Sequence, residues 1–81
     1  MEKQLMEFIE KKFLKDKRRL SPKESLFKSG ILDSFGMLEL VAFVEKTFRV
    51  KILPREVRME NFDTVEKILK LIEKKREIKK A

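Results

Sequence analysis

The side chains best placed for chemistry lie in the segment Gly30-Ile31-Leu32-Asp33-Ser34-Phe35-Gly36. A polar stretch ends at Asp33-Ser34, and the pattern predicts that a helix begins there. A serine at a helix start is exposed, and the free N–H groups and positive dipole beside it favour an anion such as a phosphate ester. Gly36 is expected to leave the backbone bare on one side, so that a partner could approach closely. The simpler interpretation is that Asp33 or Ser34 only caps the helix.

Composition limits what else the chain can do. It has 81 residues and contains neither Cys nor His. This excludes disulfides, thiolate nucleophiles, the usual metal imidazole and the Ser-His-Asp triad. Without these groups an autonomous enzyme is not expected, and neither a catalytic residue nor a metal site is predicted.

The net charge of +7 suggests an anionic partner. The basic excess lies at the two ends of the chain, mainly in runs at 15–19 and 74–80. Solvated helix ends explain such runs, and the alternative is a small basic helical module that binds nucleic acid.

No apolar run is long enough to span a bilayer and no secretory signal is evident, so we expect a soluble cytoplasmic protein. Scarce Gln and Asn together with abundant Lys and Glu hint at a thermophilic source.

Apolar spacing predicts an all-α fold, a small bundle of three main helices and one short helix in a single domain, 1–81. The expected boundaries are helix 1 at about 2–16, a long loop at 17–33, helix 2 at about 34–49, short helix 3 at about 55–59, helix 4 at about 64–75 and a basic tail at 76–81. Ser21 and Asp63 each begin a capping-box pattern, so Asp63 is the expected cap of the last helix.

One set of apolar side chains is expected in the core. It comprises Leu5, Ile9, Phe13, Leu26, Ile31, Leu40, Val41, Val44, Phe48, Ile52, Phe62, Val65, Ile68, Leu69 and Ile72. Phe35, Leu38 and Ala42 form a second apolar stripe on helix 2. This stripe is either buried on a second side or exposed as a docking patch, or it serves a protein-interaction module with Ser34 unmodified.

Beyond these patterns, the chain resembles acyl carrier and peptidyl carrier proteins. Their signature is an Asp-Ser-Leu-like tripeptide at the start of the second helix, after a Gly and an apolar pair, and Gly30 to Phe35 stands in that register. The resemblance spans roughly 5–72. It includes the helix body at 39–48, Ile52-Leu53-Pro54 before the third helix, and 61–65 before the fourth.

The resemblance implies a non-catalytic carrier. Ser34 would bear covalent 4′-phosphopantetheine, and Asp33 would cap the helix and help a phosphopantetheinyl transferase position its metal. Phe35, Leu38, Glu39 and Ala42 would form the docking surface for partner enzymes. The cofactor would hold an acyl or aminoacyl thioester.

Two departures from the family pattern bear on the partners. Phe35 replaces the commoner Leu, and the second helix is electrically neutral where fatty-acid carriers are acidic. We therefore expect a stand-alone carrier with a dedicated acyl- or aminoacyl-adenylating ligase and downstream acyl-transfer enzymes. A monomer is the default expectation for a protein that shuttles between enzymes.

Overall fold

The computed structural model describes residues 1–14 and 19–80, with side chains described to residue 76. The helices are α1 (Glu2–Phe13), α2 (Ser34–Phe48), α3 (Met59–Phe62) and α4 (Val65–Lys80), and a 3-10 turn spans Pro54–Glu56. No strand occurs in these ranges. The predicted all-α fold is confirmed.

Several helix ends differ from the sequence-based boundaries. α1 ends at Phe13, because the chain leaves helical geometry at Leu14 and buries that side chain. α2 ends at Phe48, where Arg49 adopts the left-handed conformation with a φ of 55°. α4 continues to Lys80, because Lys, Arg, Glu and Ile after residue 75 are compatible with a helix. The segment expected to be a basic tail is therefore helical as far as Lys80.

The short helix expected at 55–59 is replaced by two separate elements. The Glu56 carboxylate turns back to accept the Leu53 amide at 2.8 Å, which completes the 3-10 turn. The chain is then extended at Arg58 and becomes helical again at Met59. The new helix, α3, places Phe62 in the core, where its side chain is fully buried.

The core lies where α1 packs against α2 and α4, and where α3 packs against α4. Most of the expected core is buried, whereas Phe13, Ile31 and Leu69 only pack at its edge. The buried apolar side chains outside the expected set are Leu14, Leu20, Leu32, Val50 and Leu71. At the α1–α2 contact, the rings of Phe8 and Phe43 stack with centroids 3.9 Å apart.

Hydrogen bonds hold the loop before α2 against the start of α4. The Leu26 amide donates to the Asp63 carbonyl at 2.6 Å, and the Ser25 hydroxyl donates to Asp63 Oδ1 at 2.7 Å. Thr64, not Asp63, caps α4, because its Oγ1 accepts the Lys67 amide at 3.1 Å. The expectation for Asp63 was wrong because this carboxylate is directed toward the loop. The loop that leads to Ser34 is thus held at Asp63, just before α4 begins.

Candidate functional site

The site begins with the cap of α2. Asp33 has extended backbone geometry, and its Oδ1 accepts the Gly36 amide at 2.7 Å. Its carbonyl accepts the Met37 amide at 2.8 Å, which is the first hydrogen bond of the helix. Asp33 therefore ends the loop and places Ser34 at the first position of α2.

Ser34 is exposed and takes no part in this cap. Among the described residues, none forms a hydrogen bond with its hydroxyl. The amides of residues 34–36 have no acceptor within the helix, and the Asp33 side chain accepts only that of Gly36. Capping thus belongs to Asp33, and the Ser34 hydroxyl faces solvent beside the positive end of a helix.

Gly36 has a different role from the one expected. It is buried, and a Cβ on it would lie 2.9 Å from Leu32 Cδ1 and 3.2 Å from Phe13 Cε1. The bare side of the backbone therefore faces the interior, where it admits the end of the loop and the end of α1. The sequence shows a glycine in the first turn of a helix, shortly after the apolar pair Ile31-Leu32. That pattern alone does not determine whether the glycine faces the interior or solvent.

The second apolar stripe of α2 faces solvent. Phe35 is 80% exposed and Leu38 is 57% exposed, and Ala42 continues the stripe. The spacing of three and four residues places all three on one face, next to Ser34. The structure thus decides between a second buried side and an exposed patch.

Both carboxylates of α2 are already engaged. Glu39 Oε2 lies 3.1 Å from Lys12 Nζ of α1. Glu45 Oε2 accepts the Ile52 amide at 2.8 Å, which holds the chain that leaves the helix. The apolar stripe beside Ser34 is therefore flanked by carboxylates of α2 that already have partners.

A phosphodiester fits this position. The hydroxyl is accessible, the adjacent helix end favours a negative charge, and the Asp33 carboxylate is held against the Gly36 amide.

Within the part of the chain that the structure describes, no group of His, Cys, Asp or Glu side chains could hold a metal ion. In the same part, no helix is long and apolar enough to cross a membrane.

The structure does not test the alternative of nucleic-acid binding at 15–19, because residues 15–18 lie outside the described ranges. The side chains of Lys79 and Lys80 lie outside them as well.

Comparison with known proteins agrees with this geometry. The family model described as "Phosphopantetheine attachment site" matches residues 3–72. Proteins named D-alanyl carrier protein from Streptococcus pyogenes serotype M5 (strain Manfredo), serotype M49 (strain NZ131) and serotype M1 are each 33% identical over 73 residues. Each alignment covers 90% of this chain and 91% of the relative.

The chain belongs to the phosphopantetheine-binding carrier family. It is a carrier of acyl or aminoacyl groups, and its cofactor is covalently attached 4′-phosphopantetheine. The family is non-catalytic. The cofactor supplies the thiol that this Cys-free chain lacks, and the protein holds and presents it.

Proposed function

We propose that Ser34 Oγ is the attachment atom for 4′-phosphopantetheine. The supporting observation is an exposed serine at the first position of α2 whose neighbour, Asp33, already caps the helix. In the transfer from coenzyme A, the serine oxygen forms the new P–O bond, its proton is removed, and adenosine 3′,5′-bisphosphate leaves. The added phosphodiester would then lie beside the positive end of α2.

Asp33 would serve both the helix and the transferase. Its Oδ1 stabilises the first turn, and the charge of the carboxylate would help the transferase position its metal ion. The Asp33→Asn variant separates these roles, because an amide oxygen still caps while the charge is lost. We expect a clear fall in the modification rate with a nearly unchanged melting temperature. A rate equal to that of the wild type would remove Asp33 from transferase recognition.

The exposed stripe of Phe35, Leu38 and Ala42, with Glu39 at its side, would be the surface that partner enzymes contact. The Glu39–Lys12 pair and the engaged Glu45 leave α2 with little negative charge for the electrostatic steering of partners. The transferase and the loading enzyme would therefore recognise α2 mainly by apolar contact.

The cargo we propose is an aminoacyl group loaded by an adenylating ligase, after which partner enzymes accept it. The support is the similarity to relatives named D-alanyl carrier protein. D-alanine is the first substrate to test, and simple acyl groups are the alternative. The expected cytoplasmic location and monomeric state remain predictions.

The deciding experiment is intact mass spectrometry after incubation with coenzyme A, Mg²⁺ and a broad-specificity phosphopantetheinyl transferase. The wild type should gain one 4′-phosphopantetheine, and Ser34→Ala should gain none while its stability changes by less than about 0.5 kcal/mol. Ser29→Ala is the matched control, because Ser29 is an exposed serine of the preceding loop, and it should be modified normally. Modification of Ser34→Ala, or a folded wild type that gains no mass, would contradict the assignment.

A further inference from the structure

A basic cleft lies between α4 and the segment that contains the 3-10 turn and α3. It consists of two adjoining open hollows of about 410 and 320 Å³ that share Asn61, Leu71 and Lys74. Its walls come from the 3-10 turn, Arg58, α3 and α4, and α2 contributes none of the lining. We call this feature the α4 cleft. Its basic lining residues are Arg55, Arg58, Lys67, Lys70, Lys74 and Lys75.

The two carboxylates of the α4 cleft are each paired with a cation of the same cleft. Glu56 forms an ion pair with Lys75 that is largely shielded from solvent. Glu60 Oε1 lies 2.7 Å from Arg58 Nη2. These pairs satisfy Lys75 and Arg58, so the remaining positive charge of the cleft belongs to other side chains.

That remaining charge belongs to Arg55, Lys67, Lys70 and Lys74, all of which are exposed. No carboxylate among the described side chains forms an ion pair with any of these four. The three lysines recur at intervals of three and four, so they form one row along α4. Lys70 and Lys74 are separated by about 6 Å along the helix axis.

The shape of the α4 cleft and its lining determine which anion it suits. Its cations line a concave surface. Proteins that read DNA bases insert a protruding helix or β-ribbon into a groove, so the concave shape does not suit duplex DNA. No aromatic side chain lines it, so nucleic-acid bases have no stacking platform. Its one aliphatic lining residue, Leu71, is buried and cannot anchor a membrane surface.

An extended acidic segment of a protein matches these features. Alternate side chains of an extended chain lie about 7 Å apart, close to the axial separation of Lys70 and Lys74. We propose that the α4 cleft binds an acidic, extended segment of a partner protein. This second contact surface is separate from the stripe on α2 and does not require modification of Ser34.

Fluorescence anisotropy with a labelled oligoglutamate peptide of about eight residues tests this proposal. Wild type is compared with the triple variant Lys67→Gln/Lys70→Gln/Lys74→Gln. The matched control, Lys3→Gln/Lys11→Gln/Lys46→Gln, removes three exposed lysines from α1 and α2. Circular dichroism checks that both variants fold, and Ser34→Ala is measured alongside.

Three modest ion pairs lost together predict about a tenfold weaker peptide affinity for the cleft variant. The control and Ser34→Ala should bind within about twofold of the wild type. An equal loss in the control would show binding to net charge only and overturn the proposal, as would no binding by the wild type at low salt. Tighter binding of oligouridylate, or of vesicles containing phosphatidylglycerol, would reassign the cleft to RNA or to a membrane surface. The α4 cleft does not include Ser34, so the two experiments test separate sites. Absence of peptide binding would therefore leave the attachment-site experiment unaffected.

Discussion

Removal of the Asp63 carboxylate should loosen the loop that leads to Ser34. Asp63 Oδ1 accepts the Ser25 hydroxyl at 2.7 Å and the Phe27 amide at 3.3 Å, both in partly buried surroundings. A hydrogen bond to a charged group contributes about 1.5–3 kcal/mol. Because the second bond is long, we expect Asp63→Ala to lower the free energy of unfolding by about 2–3 kcal/mol.

Urea denaturation followed by circular dichroism measures this loss. Ser25→Ala should cost about 1 kcal/mol, and the double variant should reveal a coupling energy of about 1 kcal/mol. Asp63→Asn should cost less than Asp63→Ala because it keeps an acceptor oxygen. Glu73→Ala is the matched control, since it removes an exposed carboxylate and raises the net charge equally.

An Asp63→Ala variant within about 0.5 kcal/mol of the wild type would refute the reasoning. Strict additivity of the two single variants would also refute it, because the two side chains would then not act through one contact. Hydrogen exchange supplies an independent readout, since the Phe27 amide should lose protection in Asp63→Ala and keep it in Glu73→Ala.

Three further substitutions test the core, the docking stripe and the shielded ion pair. Phe48→Ala should lower the free energy of unfolding, measured by urea denaturation, by about 3–5 kcal/mol, because Phe48 is buried. Phe35→Ala should lower it by less than about 0.5 kcal/mol but should lower kcat/KM for modification about tenfold, because Phe35 is exposed. A similar loss of stability in both variants would contradict the burial pattern. Burial raises the pKa of Glu56, but the Lys75 ammonium and the Leu53 amide lower it by more, so the pKa of this carboxylate in the folded state lies below its usual value. Its stabilising contribution is therefore present above about pH 4.5 and lost as the pH falls through the folded pKa. Glu56→Gln should be less stable than the wild type at pH 7, and the gap should narrow below pH 4.5; a gap independent of pH would reject this origin.

Local patterns were sufficient for the features that depend on neighbouring residues. Spacings of three and four predicted α1, α2 and α4, because one helical face must be buried. The segment around Asp33 and Ser34 predicted the start of α2, since a capping residue acts on amides only a few positions away. The family resemblance added the carrier function, which the residues alone did not establish.

Contacts between distant parts of the chain decided the rest. Thr64 caps α4 because Asp63 is held by Ser25, which is 38 positions away, and no local pattern contains that bond. Leu32 is buried deeper than Ile31 because its amide closes the loop on the Leu26 carbonyl.

The sequence by itself determined an all-helical chain without Cys or His, with a serine at the start of its second helix and a positive net charge. Only the tertiary structure decided that Gly36 faces inward, that Phe35 and Leu38 face solvent, and that lysines of α4 line a cleft. The physical reason is that a helical pattern defines faces, whereas the packing of the other elements determines which faces remain exposed.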